Sequence, residues 1–172
     1  IITYNDPRRF GAMDLAKTDT LEYHKFIQRL GPEPLGNNFN ANYLKNKFSK
    51  KESPIKSVLL DQSVVAGLGN IYVCEALFMS GISPKKTASK ISIKKCEELV
   101  RNIRRILISA IEAGGSSLKD FTDIEGNSGY FQFEFYVYGR DNELCKSNTC
   151  NRKIKRISQS GRSSFYCPSC QR

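Results

Sequence analysis

Four cysteines in two pairs constrain this chain more than any other feature. Cys145 and Cys150 flank one short loop, and Cys167 and Cys170 flank another. Residues 151–166 between them read as strand, turn and strand. Two knuckles joined by a hairpin can each aim two thiolates at one ion, which is what a tetrahedral zinc site needs. The competing reading is a pair of disulfides or four unrelated thiols. No secretory segment is visible and the spacing favours metal, so one zinc ion on Cys145, Cys150, Cys167 and Cys170 is expected. Four thiolates leave no open position for water, so that zinc is structural.

The charge around the cysteines is one-signed. Residues 144–172 carry Lys146, Arg152, Lys153, Lys155, Arg156, Arg162 and Arg172 and no Asp or Glu. A zinc ion with four thiolates contributes about −2, so the element stays positive. The whole chain has a net charge of +10, the footprint of a nucleic-acid binder. Its 40% hydrophobic content, including ten Phe, allows a real core and argues against wholesale disorder. No run of about 18 apolar residues occurs, so no membrane span is expected. Cys74 and Cys96 read as reduced, buried thiols of a cytoplasmic protein.

In order, residues 1–17 read as two strands around an Asn5-Asp6-Pro7 turn, a β-hairpin separated from the rest of its sheet. The chain begins at Ile1, inside an apolar run. From Thr18 to Tyr130 the pattern is mainly helical. Thr20–Leu30 carries Leu21, Phe26, Ile27 and Leu30 and stops at Gly31-Pro32. His24 has no patterned partners and reads as a surface or packing residue. Asn40 or Asn42 caps a helix with Tyr43, Leu44 and Phe48 that runs into Lys45, Lys47, Lys50 and Lys51. Those cations suit either the helix dipole or a phosphate. Ser53-Pro54 starts a helix over Ile55–Asp61, with Ile55, Val58 and Leu59 inward and Lys56 outward. A glycine-containing double turn, Ser63 to Asn70, leads into a helix over Ile71–Ser80, ended by Gly81. Ser92 caps the longest helix, Ile93–Ala113, whose apolar stripe is Ile93, Cys96, Leu99, Val100, Ile103, Ile106, Leu107, Ala110 and Ile111. Residues 116–130 read as a long loop, and Phe131–Tyr138 as a strand or extended connector into the hairpin.

Two places suit phosphate. At the start of the second helix, Asn70 joins unpaired backbone N–H groups at the positive end of the dipole, and its amide can serve as cap or contact. At the hairpin tip, Gln159-Ser160-Gly161 pushes Arg162 outward, where its guanidinium can donate two hydrogen bonds at once.

These residues carry a resemblance. Ala66-Gly-Leu-Gly-Asn-Ile-Tyr72, Asp6-Pro-Arg-Arg-Phe-Gly11, Gly114-Gly-Ser-Ser-Leu-Lys-Asp-Phe121 and Gln159 through Arg172 resemble bacterial formamidopyrimidine-DNA glycosylase, in family order along the whole chain. The resemblance implies a bifunctional DNA glycosylase and AP lyase of base-excision repair. Such an enzyme removes oxidised purines (8-oxoguanine, formamidopyrimidines) from duplex DNA, with the lesion flipped from the stack. It assigns Asn70, Lys56 and Arg162 to phosphates beside the flipped nucleotide, with Arg162 also a proton donor in δ-elimination. Lys50 matches a further DNA-contacting lysine, Arg8 the reader of the opposite cytosine, and Phe10 the wedge that fills the gap. Residues 116–130 match a loop that closes over the extruded base.

Two features depart from the family. Its nucleophile is an N-terminal proline on a β-sandwich domain, whereas Pro7 here is internal and its nitrogen is an amide. The first knuckle has four residues between its cysteines, where two are commoner. The expected fold is mainly α: a remnant β-hairpin (1–17), a helix–two-turn–helix domain (18–130), then a connector and four-cysteine β-hairpin zinc finger (131–172). The expected protein is a monomer that binds duplex DNA with an oxidised base, in the bacterial cytoplasm, and the 172 residues alone bind without excising. The alternatives are an endonuclease VIII type glycosylase for oxidised pyrimidines and a short non-enzymatic zinc DNA-binding protein.

Overall fold

The computed structural model describes residues 3–6, 9, 11–115 and 135–172. Among these residues four helices, α1 (Ala41–Phe48), α2 (Ile55–Leu59), α3 (Asn70–Met79) and α4 (Ile93–Glu112), precede one antiparallel hairpin, β1 (Lys155–Gln159) and β2 (Arg162–Tyr166). Short 3-10 segments lie at Thr18–Tyr23 and Ala88–Lys90.

The N-terminal stretch differs from expectation. Residues 3–6, 9 and 11–17, those described within the expected hairpin, form no strand, and the Asp6 carboxylate accepts from the Gly11 N–H. The expected helix over Thr20–Leu30 is replaced by the Thr18–Tyr23 3-10 segment and a run of turns. Leu21, Phe26, Ile27 and Leu30 are exposed there, and an amphipathic helix without a packing partner is marginal. His24 meets Asp14 at the surface, as expected of a non-catalytic histidine.

From Gly31 to Gly115 a continuous core forms. Gly31 donates to the Gln62 carbonyl, and a Cβ there would lie 2.6 Å from the main chain of Val64, so only glycine allows the approach. Asn40 caps α1 by accepting from the Tyr43 N–H. Ser53 does not cap α2: Pro54 occupies that position, and the Ile55 N–H goes to the Lys86 carbonyl. Main-chain bonds from Ala88 to Ser53 and from Ser89 to Lys51 tie the start of α2 to the segment before α4.

The double turn after α2 is held by its own side chains. Asp61 accepts from the Ser63 N–H and hydroxyl, and Gln62 accepts from the Gly67 N–H, where φ is +75°. Val64, Val65 and Leu68 point inward. α3 ends as the sequence predicts, with Gly81 at φ +62° and the Ile82 N–H reaching back to the Leu77 carbonyl.

α3 is apolar on most of its circumference because it is sandwiched. One side packs with α4 in the main core, alongside Leu44, Phe48, Ile55 and Leu59. The other side turns Cys74 into a second core with Val137, Ile154, Phe165 and three of the finger cysteines. α4 buries Cys96, Leu99, Val100, Ile103, Ile106 and Ala110. Ile93 and Ile111, expected in that stripe, are exposed at its ends. Both extra cysteines are thus core residues, and burial pushes the Cys96 thiol up to about 11.

Candidate functional site: a metal centre and a nucleic-acid interface

The hairpin tip is a two-residue turn in which Ser160 and Gly161 both have positive φ, the geometry that suits the twist of paired strands. Gln159 therefore pairs with Arg162, and Lys155 with Tyr166 at the opposite end. At that end the four cysteines converge, with all four sulfurs within 4.8 Å of one another. Cys145 and Cys170 are 3.9 Å apart and Cys150 and Cys167 3.6 Å apart. Zinc–sulfur bonds of about 2.3 Å in a tetrahedron set sulfurs about 3.8 Å apart, whereas a disulfide needs about 2.05 Å. The residues fit one structural zinc ion and not disulfides. The Arg152 main-chain N–H holds the Cys150 thiol down to about 7, while burial and the other sulfurs push Cys170 up to about 12.

The hairpin does not stand free of the helices. Lys56 Nζ donates to the Ser163 carbonyl at 2.9 Å and to Ser164 Oγ at 2.6 Å. Asn70 Nδ2 donates to the same Ser163 carbonyl at 3.0 Å. Arg162, next to Ser163, is exposed at the tip. Lys56 is therefore a correction: the sequence pattern places it outward, and it is fully buried. Its ammonium exchanges water for two acceptors on β2, which offsets the cost of burying it. Burial and, more weakly, the Arg162 charge pull its pKa below the ordinary lysine value.

Asn70 also sits differently from expectation. Gly69 is the N-cap of α3, Asn70 is the first helical residue, and no side chain caps the helix. Its Nδ2 has two N–H groups and spends one on Ser163. That bond sets the α3 N-terminus beside Ser163, at the base of the Arg162 tip.

Lys50 is exposed just past α1 and lines a hollow with Tyr43, Asn46 and Lys47. Lys45 belongs to the fold instead, donating to the Ile91 carbonyl. Arg8, Phe10 and the 116–130 loop lie outside the described residues, as do residues 131–134 of the expected connector.

Two further side chains, Glu75 and Arg104, hold the elements of the site in place. Glu75 on α3 is buried, and its carboxylate accepts from the N–H groups of Tyr136, Val137 and Tyr138. Burial raises its pKa, against the pull of those three donors and Lys146. Arg104 on α4 donates to the carbonyls of Pro34, Gly36 and Phe39, which staples the connector before α1. A charged residue at a core position of a helix was the available signal for Glu75.

Comparison with known proteins agrees with this geometry. The family model described as the formamidopyrimidine-DNA glycosylase H2TH domain matches residues 30–122, and the zinc finger found in FPG and IleRS matches residues 148–172. A formamidopyrimidine-DNA glycosylase of Ruegeria pomeroyi is 57% identical over 171 residues, 99% of this chain and 60% of that protein. The crystal structure of the MutM (Fpg) protein from Thermus thermophilus superposes with a TM-score of 0.86 at 38% identity, covering 96% of this chain and 62% of that one. A MutM solved with DNA containing carbocyclic 8-oxo-G gives a TM-score of 0.85 at 37% identity, covering 97% and 60%. The chain thus spans about three-fifths of the length of these relatives.

Proposed function

Since this chain belongs to the formamidopyrimidine-DNA glycosylase family, we propose that it is the DNA-gripping part of a bifunctional DNA glycosylase and AP lyase that removes oxidised purines from duplex DNA. The observation that carries the reading is the convergence of Lys56 and Asn70 on Ser163, which sets the exposed Arg162 beside the uncapped N-terminus of α3. The α3 N-terminus, the Asn70 amide and the Arg162 guanidinium are gathered there, and no carboxylate is bonded to them. A phosphodiester supplies acceptors and negative charge, so it answers that donor set.

In this reading Asn70 and Arg162 hold phosphates on either side of a flipped nucleotide, and Lys50 contacts the backbone farther out. Lys56 acts by positioning β2 and by adding positive charge beneath the tip. Arg162 serves as proton donor in δ-elimination. Arg8 reads the opposite cytosine, Phe10 fills the gap in the stack, and the 116–130 loop covers the extruded base. The zinc finger is the rigid mount of the hairpin. Residues 18–130 form one domain and 131–172 the other.

The protein works as a monomer in the bacterial cytoplasm. Its relatives are bacterial, and among the described residues no helix is long and apolar enough to cross a membrane. The 172 residues alone bind duplex DNA without excising a base, because Pro7 is internal and its nitrogen is an amide.

The test is lesion excision by the full-length protein on duplexes carrying 8-oxoguanine or an oxidised pyrimidine. Cleavage at 8-oxoguanine, lost in Asn70→Ala together with DNA affinity, is the expected result. Preference for the oxidised pyrimidine, or no cleavage of either, would overturn it.

A further inference from the structure

A second basic surface lies on the finger, beside the zinc knuckles. A groove of about 780 Å³ is lined by Arg152, Lys153, Lys155 and Arg172, together with Asn142 and Asn151, and no Asp or Glu lines it. The fold uses the neighbouring cations for itself. Arg140 pairs with Glu143 and donates to the carbonyls of Tyr136 and Leu144. Lys146 donates to the Phe135 carbonyl. Arg156 lies over the Phe165 ring and donates to Ser163 Oγ.

Arg152, Lys153 and Lys155 are different. All three are exposed, and none is in an ion pair among the described residues. Arg152 reaches the Cys150 sulfur through its main-chain N–H. Like charges gathered along one concave surface raise its potential and draw an anion into it.

Strand register gives the scale of that anion. Lys155 pairs with Tyr166 and Gln159 with Arg162, so four residue steps separate the groove from the tip. At about 3.3 Å per residue this is about 13 Å. A duplex advances about 3.4 Å per base pair, so a hairpin lying along it would span about four base pairs.

We propose that the Arg152–Lys153–Lys155 groove is a second phosphodiester-backbone site, which holds the flank of the duplex engaged by Arg162. The proposal rests on the DNA-binding reading above. It gives the knuckle surface a role in footprint and salt dependence that the tip does not supply.

The experiment compares the intact wild-type protein with Arg152→Gln/Lys153→Gln/Lys155→Gln on a long duplex and on one trimmed to about two base pairs either side of the site. On the long duplex the plot of log affinity against log salt should become shallower by about 2 to 3, since each phosphate no longer neutralised removes about 0.9 from the slope. On the trimmed duplex the two proteins should coincide. Arg152→Lys/Lys153→Arg/Lys155→Arg should keep the wild-type slope, and zinc content should stay at one per chain in every variant.

Equal slopes on the long duplex would overturn the proposal and leave the DNA-binding reading standing. A slope change that persists on the trimmed duplex, with two duplexes bound per protein, would assign the groove to a separate duplex and overturn the flank. Loss of zinc from the glutamine variant would show that the cations serve the thiolates, which also overturns it. A wild-type protein that binds no duplex overturns both readings.

Discussion

Lys56 on α2 and Asn70 on α3 donate to one and the same oxygen, the main-chain carbonyl of Ser163 on β2. Two helices of the double-turn unit thereby fix the zinc hairpin at the residue that follows Arg162. The position of an exposed arginine is set from beneath by a buried lysine.

Lys56→Met keeps the stem and removes the donor, leaving Ser163 and Ser164 short of a partner. It should cost about 1–3 kcal/mol, measured by urea denaturation. The pH dependence follows from the depressed pKa. Between the folded value and the ordinary 10.5 the unfolded chain holds one more proton at Lys56, so its contribution to stability rises with pH across that window. The stability of wild type relative to Lys56→Met should therefore rise with pH toward that ordinary value. A difference that is flat up to that value would contradict the buried ammonium.

Glu75 makes a sharper test of how the finger is seated. Its two oxygens take three consecutive N–H groups, and glutamine in its place must turn an NH2 toward at least one of them. Glu75→Gln should lose about 1–3 kcal/mol. Amide exchange at Tyr136, Val137 and Tyr138 should accelerate well before exchange in α4. Uniform exchange across both regions would mean the carboxylate anchors nothing locally.

Zinc removal should act on the same seam. Structural zinc supplies about 10–16 kcal/mol in small fingers, and three of the four ligand cysteines share the core that holds Cys74 and Phe165. A strong chelator, or Cys167→Ser, should unfold residues 135–172 and abolish duplex binding, while α1 to α4 keep their helical circular dichroism. Retained DNA affinity after verified zinc loss would contradict the mount.

How much of this was legible in the residues follows from the range of each interaction. The knuckle spacing, the central part of the α4 apolar stripe from Cys96 to Ala110 and the Gly81 stop are local patterns, and each is found where its spacing places it. Lys56, Glu75 and Arg104 were not legible in their roles, because their partners lie on distant segments and all but the Ser164 hydroxyl are main-chain atoms, which have no sequence signature. The helix expected over Thr20–Leu30 fails for a related reason. Its spacing is helical, but Phe26 and Ile27 stay exposed, and Phe26 meets the neighbouring His24 ring and Lys25 instead of a core. The turn by itself identifies Arg162 as a tip residue, while its support by Lys56 and Asn70 comes only with the fold.

Chemistry gives a separate check. A polypeptide of these 172 residues starts with the primary amine of Ile1 and holds Pro7 as an amide. Borohydride reduction with 8-oxoguanine duplex should trap no covalent adduct, whereas the full-length protein should be trapped. An adduct on the 172-residue chain would assign the Schiff base to another amine.

The most direct measurement is the salt dependence of duplex binding by the 172-residue chain and its Arg162→Ala variant. If Arg162 and the α3 N-terminus grip phosphates, log affinity falls linearly with log salt, and Arg162→Ala makes the slope shallower by about 0.9. A flat salt response, or an Arg162→Ala line that overlays the wild type, would contradict the phosphate grip.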